Sequence, residues 1–403
     1  MRRLGRLAFA LAKPIVTFED FIKRILKVIF WFLVLSPFIL LPLYYALDSV
    51  FHFPVDLVTL TAKPDAAISF TLGLLGKEPF RTLFALTVFP GFTFVAVYGT
   101  ILMGWVERKL TAKIQLRTGP MYAGKFEGIL QNLADALKLV FKEIIIPDKV
   151  DKATFVAVPF ALMAVAGALI AIVPLSPTVY IANPPVGAIL AFAILGFTPL
   201  VVLLAGWASN SKYSFLGGLR ALHQLVAYEI PLILSLLGAV ILSGSLGLMQ
   251  IVQAQSGLWY IFLQPLGAFV FFVGALAELE RIPFDLPEAD SEIVAGWQTE
   301  YTSMLFGTFQ LANFSRMYVL AGLFTTFFLG GWLGFAFLPP VAWFLIKTTV
   351  VMIAMMLPRG FVPRVRLDVL IRTGWVRLLA VSFANLFLTM LIISLGIVHL
   401  GAI

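Results

Sequence analysis

The sequence predicts an all-α polytopic membrane protein, with about nine spans of roughly 20 apolar residues each. Three observations carry that reading. Of 403 residues, 61% are hydrophobic and 12% are charged, and a soluble domain carries about 25% charged residues. Mean hydropathy is +0.99. The apolar residues come in long runs, without the polar/apolar alternation of a membrane β-barrel. A soluble enzyme and a disordered chain are excluded.

In order, the runs read as helices at 25–47, 83–105, 153–174, 185–206, 227–244, 258–278, 303–328, 341–357 and 376–399. A composition shift near residue 80 separates residues 1–80 from residues 81–403. The first part reads as an extension with one transmembrane helix and an outside linker. The second reads as an eight-span core. The basic N-terminal segment, Met1 to Lys27, is too long for an ordinary signal peptide and precedes no small-residue cleavage site. Segment 126–142 is amphipathic and too polar to span. Phe126, Ile129, Leu130, Leu133, Leu137, Val140 and Phe141 share one face, and Gln131, Asn132, Asp135, Lys138 and Lys142 the other. It is expected at the membrane interface.

Charge sets the orientation. Segments 175–184, 245–257 and 329–340 carry no charge, whereas 106–152, 207–224, 279–302 and 358–375 carry most of it. The two sets alternate, as simple spans require. By the positive-inside rule the charged side is cytoplasmic, which puts the N-terminus inside and the C-terminus outside. The net charge of +8 then reports topology, not nucleic-acid binding. With no cysteine, the chain offers no thiolate ligand or disulfide, and His52, His223 and His399 show no metal-ligand spacing. No nucleotide-binding glycine loop occurs, so any driving force comes from a partner or a bound small molecule.

Three charged segments could hold chemistry. The first is Glu107-Arg108-Lys109 with Gln115-Leu116-Arg117-Thr118-Gly119-Pro120. It fits snorkelling anchors before a Gly-Pro turn, or guanidinium groups at the mouth of a site for a polar headgroup. The second runs from Gly206 through Lys212-Tyr213-Ser214 to Arg220, Tyr228 and Glu229. Glu229 opens an apolar run, Pro231 predicts a kink there, and a carboxylate in a span is a functional candidate. The third, Ala277 to Glu292 with Glu300, holds seven acids and one base. Its Pro283 and Pro287 break the backbone near membrane depth, which is tolerated where it lines a cavity. Crowded carboxyls raise one another's pKa and can exchange protons near neutrality. A solvated acidic loop, with Asp285 and Glu288 in a capping box, also fits. Arg316, Asn313 and Lys347 lie within apolar runs. Together these ionisable groups are the material of a proton relay.

On these three segments the chain resembles the H-subunit family of NADH-quinone oxidoreductases, counterparts of mitochondrial complex I subunit 1, over about residues 83–400. Glu107-Arg108-Lys109, Gln115-Leu116-Arg117 and Gly119-Pro120 match the first loop of that family. Ala134-Asp135, Lys138, Phe141-Lys142-Glu143 and Ile146-Pro147 match its amphipathic helix. Gly206-Trp207, Asn210, Lys212-Tyr213-Ser214, Arg220 and Tyr228-Glu229 match its second loop. Pro283-Phe284-Asp285-Leu286-Pro287-Glu288-Ala289 and Glu300-Tyr301 match its third.

The resemblance implies a protein that joins a membrane arm to a peripheral arm, forms much of a quinone chamber and begins a proton pathway. It implies that Arg108, Arg220, Arg281, Asp285 and Glu288 line or shape the quinone cavity. It implies that Glu229, Glu278, Asp290, Glu292 and Glu300 form the acidic path. The implied substrate is ubiquinone or menaquinone, with no metal or flavin held by this chain. The implied partners are peripheral-arm quinone-module subunits at the cytoplasmic loops, small membrane-arm subunits and the lipid bilayer, and no nucleic acid. The implied location is the bacterial inner membrane. Departures from the family pattern are Met121-Tyr122, Ile144, Asp290, Trp297-Gln298, Val369 and Asn313, the last standing where a glutamate is common. A homologous subunit of a hydrogenase-type or other NADH-independent complex is the runner-up. A stand-alone ion transporter fits less well, because no internal repeat is present.

Overall fold

The computed structural model describes residues 55–56, 61–62, 97–124, 127–335 and 338–395. The chain divides into two compact units, 1–77 and 78–403. In the first, strands β1 (Val55–Asp56) and β2 (Thr61–Ala62) pair antiparallel, Val55 opposite Ala62. The expected span at 25–47 lies outside the described residues.

Among its described residues the second unit is helical throughout. A π-helical turn, Val97–Met103, runs into α1, Gly104–Ile114. Next come α2 (Gln131–Phe141), α3 (Lys152–Ile172), α4 (Gly187–Leu195), α5 (Phe197–Ala208) and α6 (Lys212–Ser243). The chain continues through α7 (Leu248–Gln253), α8 (Tyr260–Leu263), α9 (Pro265–Glu278) and α10 (Asp290–Ile293). It ends with α11 (Ser303–Phe328), α12 (Pro340–Met356), α13 (Pro358–Phe361), α14 (Leu367–Arg372) and α15 (Leu379–Ser394).

Five helical stretches are long and apolar enough to cross a membrane: 152–172, 187–208, 212–243, 340–361 and 367–394. The helix α11 has 26 residues but carries Gln310, Asn313 and Arg316, which lower its apolarity. The 14 residues of α9 reach about 21 Å, short of a 30 Å hydrocarbon core.

Several expected bounds move. The helix α6 begins at Lys212, fifteen residues before the apolar run at 227. Its polar first half stays helical because Gly206 and Gly218 let α5 and α6 approach closely; a Cβ on Gly206 would stand 3.3 Å from the Gly218 Cα. Pro231 lies inside α6, and the helix runs past it to Gly244, whose φ of +65° ends it. The 185–206 run appears as one stretch over 187–208, with a one-residue interruption at Gly196 between α4 and α5. The amphipathic segment is helical only over 131–141, because 127–130 form a turn closed by Gly128 at φ +74°.

Two packing features position the loops. First, Phe155 of α3 stacks on Tyr301 at 4.1 Å, while Trp297 and Tyr301 meet Phe309 of α11 edge-on at 4.9 and 4.8 Å. The far end of the acidic loop is thereby fixed in the core. Second, α11 is capped beyond its end by Lys347 of α12. The Lys347 ammonium donates to the carbonyls of Leu329, Gly331 and Leu333 and sits 4.2 Å from the Trp259 ring. Lys347 is buried, and its partners are backbone carbonyls, not a polar side-chain relay.

Candidate functional site

The site grows from α1. One helical turn presents Glu107, Arg108 and Thr111, and α2 lies across it. Asn132 of α2 is buried and donates to the carbonyls of Thr100 and Ile101, at 2.9 and 3.3 Å. Those carbonyls belong to the π-helical turn, where the wider hydrogen-bond ladder leaves backbone acceptors open to a neighbour. Asp135 accepts from Arg108 at 2.6 Å. Its burial would raise its pKa, but the Arg108 and Gln131 contacts outweigh that and lower it. The polar face of α2 thus turns inward, and Leu133, Leu137, Val140 and Phe141 are exposed.

Between α1, α2 and α11 lies a cavity of about 900 Å³. Glu107, Arg108, Arg117, Asp135, Lys138 and Arg359 supply its charge, and Leu139, Phe306, Leu311 and Phe314 line its apolar wall. The volume and mixed lining suit a flat organic molecule with a polar head.

Behind the cavity stands a carboxylate–guanidinium network. Glu107 is 3% exposed. Its Oε1 meets Arg281 Nη1 at 2.8 Å and also accepts from Arg359. The Arg281 guanidinium lies 5.5 Å from the centroid of Phe314 on the cavity wall. Asp285 accepts from Arg364 at 2.9 Å. Glu288 accepts from Gln298. Burial, then the charges of Glu280 and Asp285, push the Glu288 carboxyl up to about 8 against the pull of Arg281 and Arg359. The expected capping box is absent: the next helix starts at Asp290 with Ala289 at its N-cap, past both residues, and Asp285 and Glu288 bond to Arg364 and Gln298 instead.

Beyond the loop, Glu278 ends α9 and meets Arg316 of α11 at 3.1 Å, and the same guanidinium donates to the Glu278 carbonyl. Both side chains are buried. Glu278 also lies within electrostatic reach of Glu229. Glu229, on α6, is half-buried at the helix break: a Cβ on Gly196 would stand 2.8 Å from its Oε1. It faces a groove of about 550 Å³ lined by Ile189, Phe192, Phe197, Leu200 and Ile233.

The ten expected site residues therefore separate. Arg108 lines the cavity, and Arg281 reaches it through Glu107. Asp285 and Glu288 lie on the loop behind, with Glu278 and Glu229 in line toward the groove. Arg220 and Glu292 instead pair with each other at 2.5 Å, partly exposed. Glu300 is half-buried beside the stacked Tyr301. The Asp290 side chain lies outside the described residues. Sequence reasoning did not assign Glu107, Glu280, Arg316, Arg359, Arg364, Trp297 and Gln298. Of these, Arg316 had a signal, a charge within an apolar run. Glu107 with Arg359 and Arg364 with Asp285 pair across 252 and 79 residues, while Glu280 with Trp297 and Glu288 with Gln298 pair across 17 and 10 within the folded loop.

The NADH dehydrogenase family profile matches residues 87–390. The chain belongs to the NADH dehydrogenase family. It is 44% identical to the H subunit of NADH-quinone oxidoreductase from Bacillus cytotoxicus over 301 residues, 74% of this chain and 90% of the relative. The same protein of Bacillus thuringiensis strain Al Hakam and of Bacillus anthracis strain A0248 shows the same identity and coverage. The family match begins at residue 87 and so includes the cavity, the acidic loop and the groove.

Proposed function

We propose that the chain is a membrane subunit of a proton-translocating NADH-quinone oxidoreductase, forming much of the quinone chamber and the start of the proton path. The observation that carries this reading is the cavity between α1, α2 and α11, with the carboxyl network directly behind it. A quinone headgroup would lie among Arg108, Arg117 and Arg359, whose donors suit its carbonyl oxygens and the charge that reduction adds. Its isoprenoid tail would follow Phe306, Leu311 and Phe314 toward the exposed apolar face of α2. Electrons come from a partner subunit, since this chain has no cysteine to ligate a cluster. The two protons consumed in making a quinol are drawn from the loop carboxyls, and their replacement draws on Glu278 and Glu229. Asp290, Glu292 and Glu300 complete the proposed acidic path toward the membrane-arm subunits, which would seat at the groove beside Glu229.

This reading retains an eight-span core after a one-span extension, placed in a bacterial inner membrane with the cavity cytoplasmic. The test is the purified complex in proteoliposomes. Glu229→Gln and Asp285→Asn should each reduce quinone-linked proton pumping by about a hundredfold, the scale of a lost acid–base group. Normal pumping in both would reduce the chain to an anchor. Hydrogen evolution in place of quinone reduction would move it to the hydrogenase-type relatives.

A further inference from the structure

The proposed path has a gap between the loop carboxyls, Asp285 and Glu288, and Glu278 at the end of α9. Glu280 occupies it. Its backbone has φ +52°, a conformation that a residue with a side chain adopts only under tertiary restraint. Its side chain is 6% exposed. Oε2 accepts from the indole Nε1 of Trp297 at 3.1 Å, and Trp297 is itself fully buried against Phe309. Oε1 is buried and has no hydrogen-bond partner among the described residues. The charged groups around it come from every neighbouring element: Arg316 of α11, Glu278 of α9, and Asp285 and Glu288 of the loop.

We propose that Glu280 is a proton-carrying station that joins Glu288 to Glu278, and that Trp297 is the residue that positions it. The inference rests on the reading that the loop and α9 carry protons. With Oε2 satisfied by the indole, the mobile proton belongs on Oε1. Glu280 takes a proton released from the Glu288 carboxyl, which becomes a carboxylate, and is then a neutral acid. It passes that proton to the Glu278 carboxylate and returns to the anion, which Arg316 stabilises. Each transfer moves one proton and leaves the total charge unchanged. The reverse order serves uptake toward the cavity. Burial above all, with Asp285 adding to it and Arg316 and the Trp297 hydrogen bond opposing, pushes the Glu280 carboxyl up to about 7. Both forms are then populated at neutral pH.

The experiment uses the whole complex in proteoliposomes, with NADH oxidation by a water-soluble artificial acceptor as the measure of intact assembly. Glu280→Gln should leave that activity unchanged and lower quinone-linked pumping by about a hundredfold. Glu280→Asp should restore part of it. Trp297→Phe, which keeps the ring and removes the donor, should shift the pH of half-maximal pumping; an unmoved profile would remove the positioning role. If Glu280→Gln pumps normally while Glu278→Gln does not, Glu280 is not on the path. If both pump normally, the proton-path reading itself fails. Should Glu280→Gln not assemble, infrared difference spectra on quinone reduction decide with Glu280→Asp. A carboxylic C=O band that moves from its wild-type position supports the station, and an unmoved set of bands overturns it.

Discussion

Glu107 is the residue on which two arginines converge. Arg281 contributes a buried partner at 2.8 Å, and Arg359, whose side chain is 53% exposed, a solvated one. Removing one member of a buried pair costs about 3–5 kcal/mol, whereas a solvent-screened pair is worth at most about 1. Glu107→Gln should therefore lower the thermal midpoint of the assembled complex by several degrees more than Arg359→Gln does; equal losses would contradict the assignment. Glu288 makes a pH prediction. Its carboxyl is raised from an ordinary 4.5 to about 8. The folded state favours the protonated form, so its stabilisation is full below 4.5 and is lost as pH rises through 8. The wild-type midpoint should fall across that window, and Glu288→Gln should fall less steeply; parallel profiles would refute this. The sequence drew attention to most of these acids and bases by their clustering, but not to how they pair. Glu107 and Arg359 stand 252 residues apart, and no local spacing encodes such a contact. Arg220 and Glu292 likewise pair across 72 residues, a contact that local spacing does not encode.

At the scale of elements, a glycine decides how the acidic loop closes. Gly296 has φ +57°, and a Cβ there would collide with the Pro287 carbonyl. Gly296→Ala should unseat Trp297 and Gln298 together, reducing assembly on a native gel and abolishing quinone turnover. Gly307, in α11, has only the Leu139 side chain near it, at 3.5 Å. Gly307→Ala should hold or slightly raise the thermal midpoint, since alanine favours a helix interior by about 1 kcal/mol. A fall in the midpoint would show that α2 and α11 pack more tightly there than the contact implies. The helix α11 is also where the sequence is most legible, with an apolar run and a helix that share the bounds 303 and 328. The helix α6 is the opposite case. Lys212, Arg220 and His223 interrupt apolarity without interrupting the helix, because glycine-mediated packing on α5 holds that stretch, and a hydropathy run does not register such packing. The interruption at Gly196 was hidden for the same reason in reverse: its flanks are apolar, so composition stays uniform across the joint between α4 and α5.

For the molecule as a whole, the lack of cysteine makes topology directly measurable. Tyr122 is fully exposed, and Gly257 has open space around it. A cysteine at Tyr122 should react with a membrane-impermeant maleimide only from the cytoplasmic side, and one at Gly257 only from the opposite side. Labelling of both from one face would invert or remove a span. The Lys347 cap bears on how force could travel through this fold. It gathers the carbonyls of Leu329, Gly331 and Leu333 at the C-terminal end of α11, where the helix dipole concentrates negative charge. Arg316 ties the same helix to Glu278 of α9. Contacts at two heights oppose a sliding of the helix along its axis. Under the proposed function, occupation of the cavity beside α11 would then reach the carboxyls behind it as a change in field, not as a sliding of the helix between them.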